Sequence, residues 1–207
     1  MYTLHGMTGS GSCYKPALLM RQLNIPYRWV EVDLLSGATR TPEFLARNPN
    51  GKVPLLETSD GKHLAESNAM LCYLAEGSPL LPFDPWARAK TLEWLFFEQY
   101  SHEPYIATVR FWVHYLKKET EWAQKIAEMR PKGYAALSVM ENRLTANPWL
   151  AGEDYTIADI ALYAYTHVAH EGGYALDDYP AVQFWLRRMA EQPGFATMEQ
   201  AAEPAVV

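Results

Sequence analysis

Apolar and polar positions follow different periods in the two parts of this chain. Over residues 1–77, short runs rich in β-formers alternate with short helical ones; from Trp86 on, apolar positions recur only at helical spacing. Tyr2–His5 reads as a first strand, followed by a glycine-rich polar loop over Gly6–Ser12. Lys15–Asn24 carries Ala17, Leu18, Leu19 and Leu23 at helical spacing, with Pro16 in its first turn, where proline is tolerated. Asn24-Ile25-Pro26 ends that helix, and Tyr27–Val32 alternates as a second strand. Thr41-Pro42-Glu43 pairs an N-cap with proline at the first helical position and starts a short helix through Arg47. Pro54–Glu57 and Lys62–Leu64 form a hairpin across Ser59-Asp60-Gly61. Ser67–Glu76 is a helix with apolar Ala69, Met70, Leu71, Tyr73 and Leu74.

The order βαβ, a helix, then ββα resembles the thioredoxin-like arrangement without its dithiol. Its βαβ half is expected to be parallel and right-handed. Ser78–Pro85 holds three prolines and reads as a linker. No convincing strand follows it. Trp86–Leu116 is one long helical stretch, interrupted or kinked at Pro104. Glu119–Ala146 is a second, with a bend at Pro131; Thr156–Glu171, Pro180–Gln192 and a short helix near Phe195–Ala202 complete the pattern. The expected fold is therefore α/β plus all-α: a thioredoxin-like domain over 1–77, a linker over 78–85 and an all-helical domain over 86–207. Thr156-Ile157-Ala158-Asp159 reads as a capping box in which Asp159 reaches back to the N-cap N–H.

Composition narrows the function. The 207 residues, 49% apolar and 20% charged, suffice for a proper core and argue against disorder. A net charge of −6 argues against a nucleic-acid partner. No apolar run approaches the roughly 18–20 residues of a membrane-spanning helix. The opening MYTLHGMTGSGS lacks the charged and apolar regions of a signal peptide. Cys13 and Cys72 form no CxxC, which disfavours a redox dithiol and a zinc knuckle. His167 and His170 lack a third ligand at a supporting spacing, so no metal site is assigned. The expectation is a cytoplasmic protein with reduced thiols.

The densest chemistry lies in Asn48–Leu74. The turn Asn48-Pro49-Asn50-Gly51 leads into Val53-Pro54 at a strand entrance, where proline cannot donate to the ladder and a well-seated proline is often cis. Glu66-Ser67 falls at a helix start, whose unpaired N–H groups suit an anion. The pair points to a small, acidic, peptide-like ligand.

These features, taken in order with the serine-rich loop, the proline-rich linker, the helical second half and the Thr156–Asp159 box, resemble the glutathione S-transferase superfamily over essentially the whole chain. The resemblance implies a homodimer, with glutathione bound at the N-terminal domain as co-substrate and no further cofactor. Val53 would pair its backbone with the cysteinyl part, as an added strand does, the cis bond at Pro54 holding that backbone outward. Glu66 would accept from the γ-glutamyl ammonium and Ser67 would bind the γ-glutamyl carboxylate. Lys52 or Arg40 would neutralise the glycine carboxylate.

The resemblance also requires a group that favours the glutathione thiolate. Counting back from Ile25-Pro26-Tyr27, Ser10 falls where serine-type classes such as theta and phi keep their serine. Ser12 falls where the beta class keeps its cysteine and the nu class an asparagine. Ser10 is the first candidate and Ser12 the second. Cys13, one residue further on and just before a helix, where a thiolate is stabilised, carries the alternative of a thiol-transfer role; the preferred reading is a buried structural cysteine. An apolar second substrate would be lined by Tyr100, His102, Tyr105, Arg110 and Phe111, of which polar His102 and Arg110 need partners. The implied activity is glutathione transfer to an apolar electrophile. The alternatives are a glutathione-dependent disulfide or peroxide reductase and a non-catalytic glutathione-fold binding protein.

Overall fold

A computed structural model describes residues 1–203. The chain runs β1 (Tyr2–Gly6), α1 (Gly11–Gln22), β2 (Tyr27–Glu31), α2 (Pro42–Arg47), β3 (Leu55–Glu57), β4 (His63–Leu64) and α3 (Ser67–Ala75). It continues through α4 (Pro85–Phe97), α5 (Glu103–Arg110), α6 (Ala123–Ala146), α7 (Ile157–Thr166), α8 (Pro180–Ala190) and α9 (Met198–Ala201). Two compact units result. Met1–Gly77 and the segment from Gln192 on form the first; Ser78–Glu191 forms the second. The sequence reading also ends the first domain at 77 but takes 78–85 as a linker and groups 192 onward with the helices.

The first unit is built on one sheet of order β2-β1-β3-β4. β1 runs parallel to β2, with Leu4 opposite Trp29, and antiparallel to β3, with Leu4 opposite Leu56. β4 is antiparallel to β3. This is a thioredoxin-like domain, and the helical domain follows it. α1 and α3 pack on each other, and Leu4, Leu18, Leu19, Met70 and Leu71 are fully buried. A smaller cluster joins Phe44 of α2 to Val32 and Leu55, with Ala38 and Val53 against it.

Two local features depart from the sequence pattern. α1 begins at Gly11, four residues before the expected start, because Ser10 is its N-cap and accepts from Cys13 N–H at 3.4 Å. Pro16 therefore lies inside the helix. The last segment returns to the first unit through tyrosine hydroxyls. Tyr14 Oη donates to the Ala196 carbonyl at 2.5 Å, and Tyr27 Oη to the Ala201 carbonyl at 2.6 Å. Arg21 adds donors to the Gln200 and Glu203 carbonyls.

In the second unit the long helical stretch is broken where proline requires it. Pro104 sits in the first turn of α5, and Glu98–His102 ahead of it forms a π-helical turn closed by Glu103 N–H on the Glu98 carbonyl. A second π turn spans Phe111–Tyr115. Gly133 lies under the Tyr174 ring; a Cβ there would stand 2.5 Å from Tyr174 Oη, so the close packing needs glycine.

α7 carries the capping box. Thr156 Oγ1 accepts from Ala158 N–H, and Asp159 Oδ2 accepts from Thr156 N–H at 3.0 Å. Burial pushes the Asp159 carboxyl up to about 6, against hydrogen bonds from Leu150, Thr156 and Trp185 that favour the carboxylate. Burial also pushes His167, the C-cap of the same helix, down to about 4, while the Tyr163 carbonyl lies 2.7 Å from its Nδ1.

Their effects on stability have opposite signs. The lowered His167 contributes stability that is present above its unfolded value of about 6.5 and lost as pH falls through about 4. The raised Asp159 contributes stability that is present below its unfolded value of about 3.9 and lost as pH rises through about 6. Between those limits the two slopes oppose each other. Replacing His167 by glutamine removes one of them. The parent-minus-variant unfolding free energy, from urea titrations at several pH values between 4 and 6, is expected to grow with pH. A difference independent of pH would contradict the assignment.

Candidate functional site

The sheet register gathers three loops at one end of the first unit. His5, near the C-terminal end of β1, faces Leu55 at the start of β3, and Leu56 faces Leu64 at the end of β4. The loop after β1, the entrance to β3 and the start of α3 therefore share that end.

The loop before β3 is fastened by its own side chains. Asn48 Oδ1 accepts from Asn50 N–H at 3.2 Å, and Asn48 Nδ2 donates to the Lys52 carbonyl at 2.7 Å. Arg40 Nη1 donates to the Asn50 carbonyl at 3.2 Å. Gly51 has φ +61°, and a Cβ there would meet Arg40 Nη1 at 2.5 Å and the Thr39 carbonyl at 3.0 Å. The Val53–Pro54 bond is cis. The Val53 side chain packs against the Phe44–Leu55 cluster, and among the described residues its backbone N–H and C=O have no partner. Lys52 is exposed, as is Arg40, which has spent one donor on the loop.

At the start of α3, Glu66 adopts φ +66°, ψ 109°, a sparsely populated backbone region for a side-chain-bearing residue. Such outliers concentrate at binding sites. The Glu66 carboxylate does not cap the helix, and no acidic residue occupies its first turn. Ser67 Oγ and Asn68 Oδ1 each accept from Lys15 Nζ at 3.3 Å. Lys15 is the residue the sequence reading missed. The available signal was a lysine beside the apolar run Ala17–Leu19.

In the loop after β1, the hydroxyls have different duties. Thr8 is spent: its N–H and Oγ1 donate to Glu31, at 2.9 and 2.7 Å. Ser10 Oγ accepts from Cys13 N–H, and the same hydroxyl hydrogen-bonds the Cys13 thiol. Ser12 lies half-buried in the first turn of α1. Cys13 is fully buried, its Sγ accepts from Met7 N–H at 3.4 Å, and burial pushes its thiol up to about 11.

The residues expected to line a second substrate belong to the second unit and differ among themselves. Tyr100 is 84% exposed, whereas Tyr105 and Phe111 are half-buried. The ring of Tyr105 lies beneath Lys132 Nζ, 5.3 Å from its centroid. His102 and Arg110 require correction. His102 is fully buried and its Nε2 lies 2.9 Å from Thr166 Oγ1. That hydroxyl itself donates to the Leu162 carbonyl, so it accepts from His102 and fixes the imidazole as a structural donor. Arg110 is buried, donates from Nε to Glu171 Oε2 at 2.6 Å and lies over the Tyr115 ring. Both polar groups found partners inside the unit and are not presented to a solute.

One end of this thioredoxin-like unit thus brings together the unpaired extended backbone of Val53, a helix start without a side-chain cap and the Ser10 hydroxyl at the head of α1. The model for the glutathione S-transferase N-terminal domain matches residues 9–76, and that for the glutathione S-transferase C-terminal domain matches residues 105–193. The chain belongs to the glutathione S-transferase superfamily. It is 33% identical to the disulfide-bond oxidoreductase YfcG of Escherichia coli, over 87% of this chain and 86% of that one. A glutathione S-transferase from Pseudomonas fluorescens Pf-5 superposes with TM-score 0.93 at 51% identity, covering 95% of this chain and 98% of that one. A glutathione transferase family member from the same organism, with two glutathiones bound, superposes with TM-score 0.82 at 26% identity, covering 98% and 92%. No helix among the described residues is long and apolar enough to cross a membrane.

Proposed function

We propose that the protein binds glutathione as co-substrate and favours its thiolate for attack on an apolar electrophile. The observation that carries this reading is the Ser10 hydroxyl. It stands at the N-terminus of α1, accepts a backbone N–H and carries one proton, which now meets the neutral, buried Cys13 thiol and which a thiolate, the stronger acceptor, would draw. An ordinary thiol titrates near about 8.5, and a donated hydrogen bond beside a helix N-terminus favours the anion. Val53 offers an unpaired N–H and C=O to the cysteinyl part. Glu66 accepts from the γ-glutamyl ammonium, Ser67 receives the γ-glutamyl carboxylate, and Lys52 or Arg40 answers the glycine carboxylate. Ser12 is the second candidate at the sulfur. Tyr100, Tyr105 and Phe111 supply aromatic surface for the electrophile.

Glutathione-dependent disulfide reduction is a second reading, favoured by the named activity of YfcG. In that reaction glutathione supplies the redox sulfur. The buried Cys13, with its raised thiol, is unsuited to do so. Both readings suit a cytoplasmic homodimer. Support for a dimer comes from the exposed aromatics Trp86 and Phe96 on α4 and Tyr100 just beyond it.

One panel separates the possibilities: calorimetric titration with glutathione, then turnover of an aromatic halide and of a small disulfide. Conjugation of the halide supports transfer. Turnover of the disulfide alone replaces it with reduction. Binding without turnover of either leaves a binding protein, and no binding removes all three.

A further inference from the structure

α1 carries a cation into the interior. Lys15 has no solvent exposure, and its Nζ donates to Ser67 Oγ and Asn68 Oδ1, the first two residues of α3. A lysine ammonium holds donors and no lone pair. Ser67 Oγ is therefore the acceptor in that bond, and its own proton is directed away from Lys15. The position is also unusual for a cation. The N-terminal turn of a helix carries partial positive charge and favours anions, so lysines belong at the other end. No acidic residue lies in the first turn of α3, and the Glu66 carboxylate at its N-cap does not cap it, so the ammonium and the helix end carry the same sign beside Ser67.

We propose that Lys15 is the positioning residue for this helix start. It holds the Ser67 hydroxyl as a donor and adds a buried positive charge behind it, so that the site selects ligands bearing a free α-carboxylate on a γ-glutamyl group. The assignment rests on the glutathione reading above. It extends that reading to a residue that touches no ligand and to the feature of the ligand that is selected.

The test uses the full chain and two ligands, glutathione and 4-aminobutyryl-cysteinyl-glycine, which lacks only that carboxylate. The parent is expected to prefer glutathione by roughly 10–100-fold, the range of a charge-assisted hydrogen bond. Lys15→Met, similar in length and uncharged, is expected to weaken glutathione by about tenfold or more while changing the analogue by less than about threefold. With glutathione saturating, kcat and the pKa of the bound thiol are expected to stay at the parent values, so the loss appears in KM. A purely structural role would weaken both ligands together. Lys15→Gln keeps a donor without the charge and is expected to lose the preference too; it decides the question should Lys15→Met fail to fold. Equal weakening of both ligands, or an unchanged preference in the variants, overturns the assignment and leaves the glutathione reading standing. A parent that binds no glutathione overturns both.

Discussion

Replacing Ser10 by alanine is expected to lower kcat/KM by about 10²–10³-fold, the usual cost of removing one preorganised donor from a developing anion. It is also expected to raise the pKa of bound glutathione toward the free-thiol value of about 8.5. The reason lies in how the hydroxyl is used. Its oxygen accepts from Cys13 N–H, which fixes its place at the head of α1, while its proton, beside the neutral Cys13 thiol, is drawn to the stronger acceptor, a thiolate. Removing the cap costs about 1 kcal/mol of stability as well. A melting curve therefore has to accompany the kinetics, and Ser10→Thr, which restores both functions, should recover most of the activity. The bound thiol is followed by ultraviolet absorbance of the thiolate against pH. A larger effect from Ser12→Ala than from Ser10→Ala would move the role to Ser12.

Replacing Asp159 by alanine is expected to lower unfolding free energy by about 3–5 kcal/mol, a loss typical of breaking a buried charged network. The carboxylate accepts from Leu150 N–H, Thr156 N–H and Trp185 Nε1, each at 3.0 Å. Asp159 is fully buried, so water cannot replace it as an acceptor. Each stranded donor costs about 1–3 kcal/mol. The capping box alone would be worth about 1 kcal/mol. The larger figure arises because the same oxygens also tie down the loop at Leu150 and the indole of α8. Asp159→Asn keeps one acceptor and should fall between. Urea unfolding of the two variants measures the difference, and a loss below about 1 kcal/mol for alanine would show that the network relaxes.

The sequence made some of this legible and concealed the rest for physical reasons. Thr41-Pro42 and Thr156–Asp159 were readable because caps act within one helical turn. The hairpin, Val53-Pro54 and Glu66-Ser67 were readable because turn and proline chemistry is equally local. The start of α1 was misplaced because glycine and serine favour loops, and their propensity hid the cap at Ser10. Pro104 signalled a disturbance, but its form, a π turn at Glu98–His102, depends on how the helix packs. The π turn at Phe111–Tyr115 has no proline to announce it. His102 and Arg110 were read as open to a ligand because their partners, Thr166 and Glu171, lie some sixty residues away. Lys15 was missed for the same reason: its acceptors, Ser67 and Asn68, lie on another helix.

The return of the last segment to the first unit has a consequence for biosynthesis. The hydroxyls of Tyr14 and Tyr27 find their acceptors at Ala196 and Ala201. More than a hundred residues of the second unit are translated before those acceptors exist. At roughly 5–20 residues per second, the thioredoxin-like unit waits on the order of ten seconds on the ribosome for the carbonyls to which Tyr14 and Tyr27 donate. The helical unit, contiguous in sequence, has no such delay. Folding order would then run against synthesis order: the part made second is the first that can be completed, and the thioredoxin-like unit is finished last.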